Sequence, residues 1–479
     1  MELDYKKLGL KAGLEIHQQL ETHKLFCSCP SILRKDEPLK RVKRKINPVI
    51  GETGELDPAA KYEKELDRTF IYEVFDTTCL VELDEEPPHE INKEALKIAI
   101  QIAILLNCEI IPVTQIMRKT VIDGSNTSGF QRTVLFARDG FVETSFGKVG
   151  IDYLFLEEDS ARPSDYKDEK IQNSKSYKLD RLGIPLVEIA TGPHMHTPEQ
   201  IKETAMKIGE ILRSCNVKRG IGTIRQDLNI SLEGSERVEI KGFQDPSTMI
   251  TTVNKEIERQ LECIENNSCK KEVRRANPDG TSKFLRPMPG SARMYPETDL
   301  PILNISREII NEAKKTLPEL TSKKRAFLRD DNLNEELIKL ILSENKLEEY
   351  KFLMNVLDNP SLVAKSLTLF PKEISTKEKI PINEIEKILS LNVLDSVLSE
   401  VGKRISENEV RIVLQKLVEG KTFEEALEKE IIDLRKEINN LIKEKPGLNK
   451  NAYMGLIMGR LKGKVLGKEV MDELDKIIE

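Results

Sequence analysis

A change of period constrains this chain more than anything else in it. Up to about residue 301 the sequence runs in short apolar/polar alternations cut by glycine, proline and aspartate. Examples are Gly150 to Leu156, Pro185 to Ile189, Asn229 to Leu232 and Arg237 to Ile240. A period of two sends successive side chains to opposite faces, so each run reads as a strand with one buried face. Two helical stretches interrupt them: Lys93 to Leu106, and Pro198 to Arg213 with Thr197 as N-cap and proline at the first turn. After Pro301 the helical period takes over, through Ser306 to Thr316, Asn334 to Leu342, Leu347 to Leu357 and Pro360 to Leu367. Capping boxes at Ser406/Glu409 and Thr422/Glu425 announce further helices, and Lys445-Pro446-Gly447 precedes a last pair. The expectation is an α+β chain: a mostly antiparallel-sheet domain over 1–301, an all-α domain over 302–400 and an all-α tail over 401–479.

Length and composition set outer limits. A chain of 479 residues exceeds one ordinary core, and 39% apolar with 33% charged residues is a soluble, globular profile. A net charge of −6 argues against a chain coated in nucleic acid, while leaving room for local basic patches. Met1 to Lys7 contains no apolar core of a signal peptide, and the apolar run Ile98 to Leu106 is far short of the roughly 20 residues that cross a bilayer. A cytoplasmic protein with no membrane contact is expected. Seven cysteines, an odd number, favour thiols over a disulfide framework. Cys27-Ser28-Cys29 with Cys79 suggests zinc, but the spacing offers no fourth ligand, so structural thiols are expected.

Several stretches place chemistry on these strands. In Gly13-Leu14-Glu15-Ile16-His17-Gln18-Gln19-Leu20 the alternation puts Glu15 and His17 on one face. Such a pair can hold a metal ion or move a proton, and it is equally the surface of an ordinary edge strand. Glu157-Glu158-Asp159 sets three acids in a row, which calls for a shared cation or for solvent. Glu188 sits inside an apolar strand, where an unpaired carboxylate costs several kcal/mol, so a partner or a metal is needed. Arg237, Glu239 and Lys241 share one strand face. The loop Asp123 to Gly129, with Ser125, Thr127 and Ser128, offers hydroxyls and backbone N–H groups to an anion. It lacks the Gly-Lys-Ser/Thr of a phosphate-binding P-loop, and a plain turn accounts for it as well. Pro287-Met288-Pro289-Gly290, followed by Arg293 to Asp299, reads as a rigid charged loop.

Taken together these motifs resemble the B/E subunits of glutamyl-tRNA(Gln) amidotransferases. The segments that carry the resemblance are Gly13 to Leu20, Leu156 to Asp159, Asp180 to Ile189, Ile224 to Ser231 and Arg293 to Asp299. Gly13 to Gln19 and Asp123 to Arg132 are most similar to the archaeal E subunit. The resemblance implies a catalytic cradle, a helical domain and a tail like the small bacterial YqeY proteins. It implies ATP and Mg2+ as cofactors and transient phosphorylation of the glutamate carboxylate on tRNA(Gln). It also implies ammonia from an asparaginase-like amidase of the archaeal D type, in a heterotetramer with two copies of each chain. This chain shows neither an N-terminal cysteine nucleophile nor a Gly-x-Ser-x-Gly elbow, so it is not expected to make its own ammonia. The close alternative is a B subunit of a three-subunit bacterial-type enzyme acting on Asp- or Glu-tRNA. The distant one is a non-catalytic tRNA-binding or assembly protein.

Carried over to this sequence, the resemblance makes Glu15, His17, Glu158 and Glu188 metal ligands. Arg225, Lys241 and Arg293 would face ATP or the transferring phosphoryl group, Asp227 and Asn229 would orient the incoming ammonia, and Ser125, Thr127 and Ser128 would cradle phosphate. There are two departures. The domain usually inserted in archaeal E subunits has no room where Gln260 to Arg275 runs straight into Asn277 to Thr281. The paired cysteine motifs that bind zinc in some bacterial relatives are incomplete, so zinc is not carried over. For RNA, Lys443, Lys445, Lys450, Arg460, Lys462, Lys464 and Lys468 face a single acid, Glu444, between 441 and 468. That patch suits phosphate contacts. A second basic cluster spans Arg34 to Lys45.

Overall fold

The computed structural model describes residues 4–48, 54, 57–243, 246–288, 294–428, 434–461 and 467–477. The chain divides into two compact units, Met1–Leu320 and Thr321–Glu479.

The first unit is built on an 11-stranded, antiparallel-dominated sheet. Six strands form the middle of it: β1 (Lys11–Gln19), β2 (Phe130–Thr144), β3 (Gly147–Glu158), β4 (Pro185–Thr191), β5 (Ile224–Ser231) and β6 (Val238–Phe243). They lie in the order β6-β5-β1-β4-β3-β2, so β1 is central although it comes first in the chain. Beyond β2 lie Met117–Thr120 and Met294–Pro296, and beyond β6 lie Glu272–Ala276, paired parallel to it, and the edge strand Ser282–Pro287.

One face of this sheet is covered by helices α1 (Lys93–Leu105), α2 (Pro198–Ser214) and α3 (Pro246–Glu265). Leu14, Ile16, Leu154, Leu156, Val187, Ile189, Leu228, Ile230, Val238 and Ile240 point into that core, all essentially inaccessible to water. Each such side chain contributes about 1.5–3 kcal/mol on burial, so a slip of one residue in any strand would turn its apolar set outward. The core therefore holds the register, and the register holds the opposite face. Asn92 and Thr197 cap α1 and α2 with their side chains. The strand alternation predicted only two helices here; α3 is a third, its stripe Met249, Val253, Ile257 buried at a spacing of four among threonines and glutamates that blur the pattern. A smaller sheet of Lys40–Arg44, Thr69–Val74, Ser174–Lys178 and Arg162–Ser164 closes over Phe70, Tyr72 and Tyr177.

The described residues of the second unit are helical, around one apolar cluster running from Leu328 to Leu427 and another from Ile438 to Leu474. Both expected capping boxes form, Ser406 with Glu409 and Thr422 with Glu425. A π-helical turn, Lys365–Leu369, interrupts one helix, and Lys346 Nζ donates to the Leu367 carbonyl there at 3.1 Å. No helix among the described residues is long and apolar enough to cross a membrane.

Candidate active site

Because Leu14 and Ile16 point into the core, Glu15 and His17 must stand on the sheet face that the helices leave open. The register brings the matching positions of the neighbouring strands beside them. His17 lies opposite Glu188 of β4 and Arg225 of β5, Glu15 opposite Asp227, and Asn229 opposite Glu239 of β6. These side chains, with Glu157, Lys119 and Lys241, line a cleft of about 760 Å3.

The charges interlock. His17 Nε2 lies 3.4 Å from Glu188 Oε2, 3.6 Å from Glu15 Oε1 and 4.0 Å from Glu157 Oε1. Lys119 Nζ donates to Glu157 at 2.6 Å and to Glu188 at 3.1 Å. Lys241 Nζ donates to Asp227 at 2.7 Å and also pairs with Glu239. Arg225 grips Asp159 with two contacts, 2.9 and 3.2 Å, while Gln19 donates to the same carboxylate at 2.6 Å.

Burial and then the charge of Glu188 push Glu15 up to about 7. Burial opposes a charged His17, but the hydrogen bond to Glu188 and the charges of Glu188, Glu15 and Glu157 outweigh it, raising the ring to about 9. Glu188 is held well below its ordinary value against its burial, by Lys119 and His17. Burial raises Glu157. These acids ionise together only when cations stand among them. Glu15, His17 and Glu188 each present a donor atom within 4.8 Å of the others. A mainly oxygen donor set with one imidazole fits a hard divalent ion such as Mg2+.

Three of the expected metal ligands, Glu15, His17 and Glu188, are thus brought together, and the fourth is not. Glu158 follows Glu157 on β3 and points to the opposite face, where it accepts from the Arg132 backbone N–H at 2.9 Å. The acid of that run that reaches the cleft is Glu157, a choice that the strand's own alternation, with Leu154 and Leu156 buried, already contains. Arg225, Asp227, Asn229 and Lys241 all line the cleft, as does Ser125. Thr127 and Ser128 do not: their hydroxyls donate to the carbonyls of Glu82 and Phe130, so they brace the loop. Arg293 lies outside the described residues. Lys119 was missed, since nothing in Met117-Arg118-Lys119-Thr120 distinguishes it from a surface lysine before the strands are assembled.

The basic cluster near β1 is largely matched by acids. Arg34 pairs with Asp36 and Asp76, Arg41 with Glu37 and Glu73, Lys43 with Asp168, Arg44 with Glu85 and Lys45 with Asp67. Near the C-terminus Arg460 pairs with Glu444 and Lys450 with Asp475, while Lys462 and Lys464 lie outside the described residues.

The GatB/GatE catalytic domain matches residues 10–311, which span the whole cleft. The chain belongs to the GatB/GatE family. Among its GatB/GatE relatives is the E subunit of the glutamyl-tRNA(Gln) amidotransferase of Methanocaldococcus jannaschii, 37% identical over 99% of this chain and 99% of the relative. The E subunits of Archaeoglobus fulgidus and Saccharolobus solfataricus are 35% and 32% identical, over 100% and 98% of this chain and 99% and 98% of the relatives. The first of these alignments runs over 632 positions against a chain of 479, so that relative carries residues with no counterpart here. GatB/GatE proteins are amidotransferases, within the ligases, and this chain is a member of that enzyme family.

Proposed function

We propose that this chain converts Glu-tRNA(Gln) to Gln-tRNA(Gln) with ATP, by way of a γ-glutamyl phosphate. The observation that carries the reading is one cleft in which a divalent-ion donor set faces Arg225 and Lys241, in a chain that aligns end to end with the E subunits. The chemistry accounts for those residue types. A carboxylate oxygen is a poor leaving group. Its attack on the γ-phosphorus of ATP, with ADP departing, makes an acyl phosphate whose C–O bond ammonia can then displace. Mg2+, when bound, would offset the repulsion between the carboxylate and the triphosphate.

Glu15, His17, Glu157 and Glu188 are the residues that would hold the ion. Arg225, held in place by Asp159, and Lys241 would bind phosphate oxygens, and Ser125 lies at the rim for the same task. Asp227 and Asn229 would orient the ammonia, which a partner amidase of the asparaginase-like D type would supply; a protected route keeps water from the acyl phosphate. The helical residues 302–400 and the YqeY-like tail 401–479 would carry the tRNA, in an assembly of two copies of each chain. Incubation with ATP, Mg2+, ammonium and Glu-tRNA(Gln) tests this. ADP release that depends on Glu-tRNA is expected, falling about 100-fold or more in Glu15→Gln and Glu188→Gln. Full activity in either variant would remove the proposed metal centre.

A further inference from the structure

Outside the cleft, beneath the turn that follows β1, three cysteines and a glutamate gather. Cys27, Cys29, Cys79 and Glu82 each place one donor atom within 4.8 Å of the others. Cys27 and Glu82 are each 4% exposed, and Cys29 and Cys79 are half-buried. The sequence offers Cys27-x-Cys29 and a distant Cys79 with no fourth ligand. The fold supplies one, three residues beyond Cys79, so that two turns, 27–29 and 79–82, each contribute a pair of donors. Glu82 is already oriented for this: its Oε1 accepts from the Cys27 thiol at 3.1 Å and its Oε2 from the Cys79 backbone N–H at 2.8 Å. Lys24, wholly buried, sets its ammonium 2.8 Å from Glu82 Oε1 and donates to the Leu179 carbonyl at 3.3 Å.

We propose that Cys27, Cys29, Cys79 and Glu82 form a structural Zn2+ site, with Glu82 as its fourth ligand and Lys24 as its buried counter-charge. Zinc binds thiolates at about 2.3 Å and carboxylate oxygens at about 2.0–2.2 Å in a tetrahedron. The edge of such a tetrahedron is about 3.8 Å, so the donors need close by only about 1 Å. Three thiolates and a carboxylate around Zn2+ leave a net charge of about −2, costly in a buried place unless a cation sits against it. Lys24 is that cation, touching the one oxygen ligand. Four protein donors leave no position for substrate, so the ion would staple rather than catalyse. It would tie the segment leaving β1, next to Glu15 and His17, to the segment leaving strand Thr69–Val74, and its binding would add directly to folding stability.

The test uses the full-length chain. Metal analysis is expected to find one zinc per chain, and exchange for Co2+ to give intense tetrahedral d–d bands with thiolate-to-cobalt charge transfer. Glu82→Gln should shift the d–d bands and weaken Zn2+ binding at least ~10-fold. Glu82→Cys should keep one metal per chain with a four-thiolate spectrum. Cys79→Ser should lose the charge-transfer signature; should that variant misfold, the two Glu82 variants still decide. A chain that takes up neither Zn2+ nor Co2+, or a cobalt spectrum identical in wild type and Glu82→Gln, would overturn the proposal.

Discussion

Glu157 and Glu158 are adjacent and chemically identical, yet they do different work, because a strand sends them to opposite faces. Glu157 stands 4.0 Å from His17 and holds Lys119, whereas Glu158 is tied to Arg132. Glu157→Gln is therefore expected to weaken Mn2+ binding by about 10-fold or more, and Glu158→Gln to leave it unchanged, as read by titration calorimetry. Lys119 is the other residue whose meaning is local. It offsets Glu157 and Glu188 where a divalent ion would otherwise do so. Lys119→Met should destabilise the metal-free chain by about 3–5 kcal/mol, and millimolar Mg2+ should narrow the gap in urea melts. A gap indifferent to Mg2+ would show that Lys119 does not stand opposite the ion's site.

Among elements, the short segment around Met294–Pro296 is fastened by Glu297. Its fully buried carboxylate accepts from Arg118 at 2.6 Å, from Arg132 at 2.9 Å and from the Asp299 backbone N–H at 3.0 Å. Burial alone would raise Glu297, but Arg118, the Asp299 amide and Arg132 outweigh it and hold it below its ordinary value. A depressed folded value means that the acid's contribution is complete above its unfolded pKa, about 4.3, and disappears as pH falls through the folded value. Glu297→Gln should therefore cost about 1.5–3 kcal/mol at neutral pH, with the difference from wild type vanishing in strong acid. Denaturant melts across that range check both the size and the sign. The helices were legible at the same scale where capping residues marked them, as at Asn92, Thr197 and Thr422. α3 was not, since its stripe is one apolar residue per turn.

At the scale of the molecule, the cleft draws on segments from Glu15 to Lys241, a span no local pattern can connect. The sequence by itself determined which residues of each strand share a face: Glu15 with His17, Arg225 with Asp227 and Asn229, Glu239 with Lys241. It did so because a period of two is a property of the backbone and needs no neighbour. It also determined where strands give way to helices, and its motifs place the chain among the amidotransferases. Which strands lie side by side was decided only by the tertiary structure, because the burial of Leu14, Ile16, Val187 and Leu228 against the helices rewards one arrangement of the whole sheet. That arrangement set Lys119 between two acids, turned Glu158 away and brought Glu82 to the cysteines. None of these contacts has a sequence signal, because each depends on packing between segments far apart in the chain.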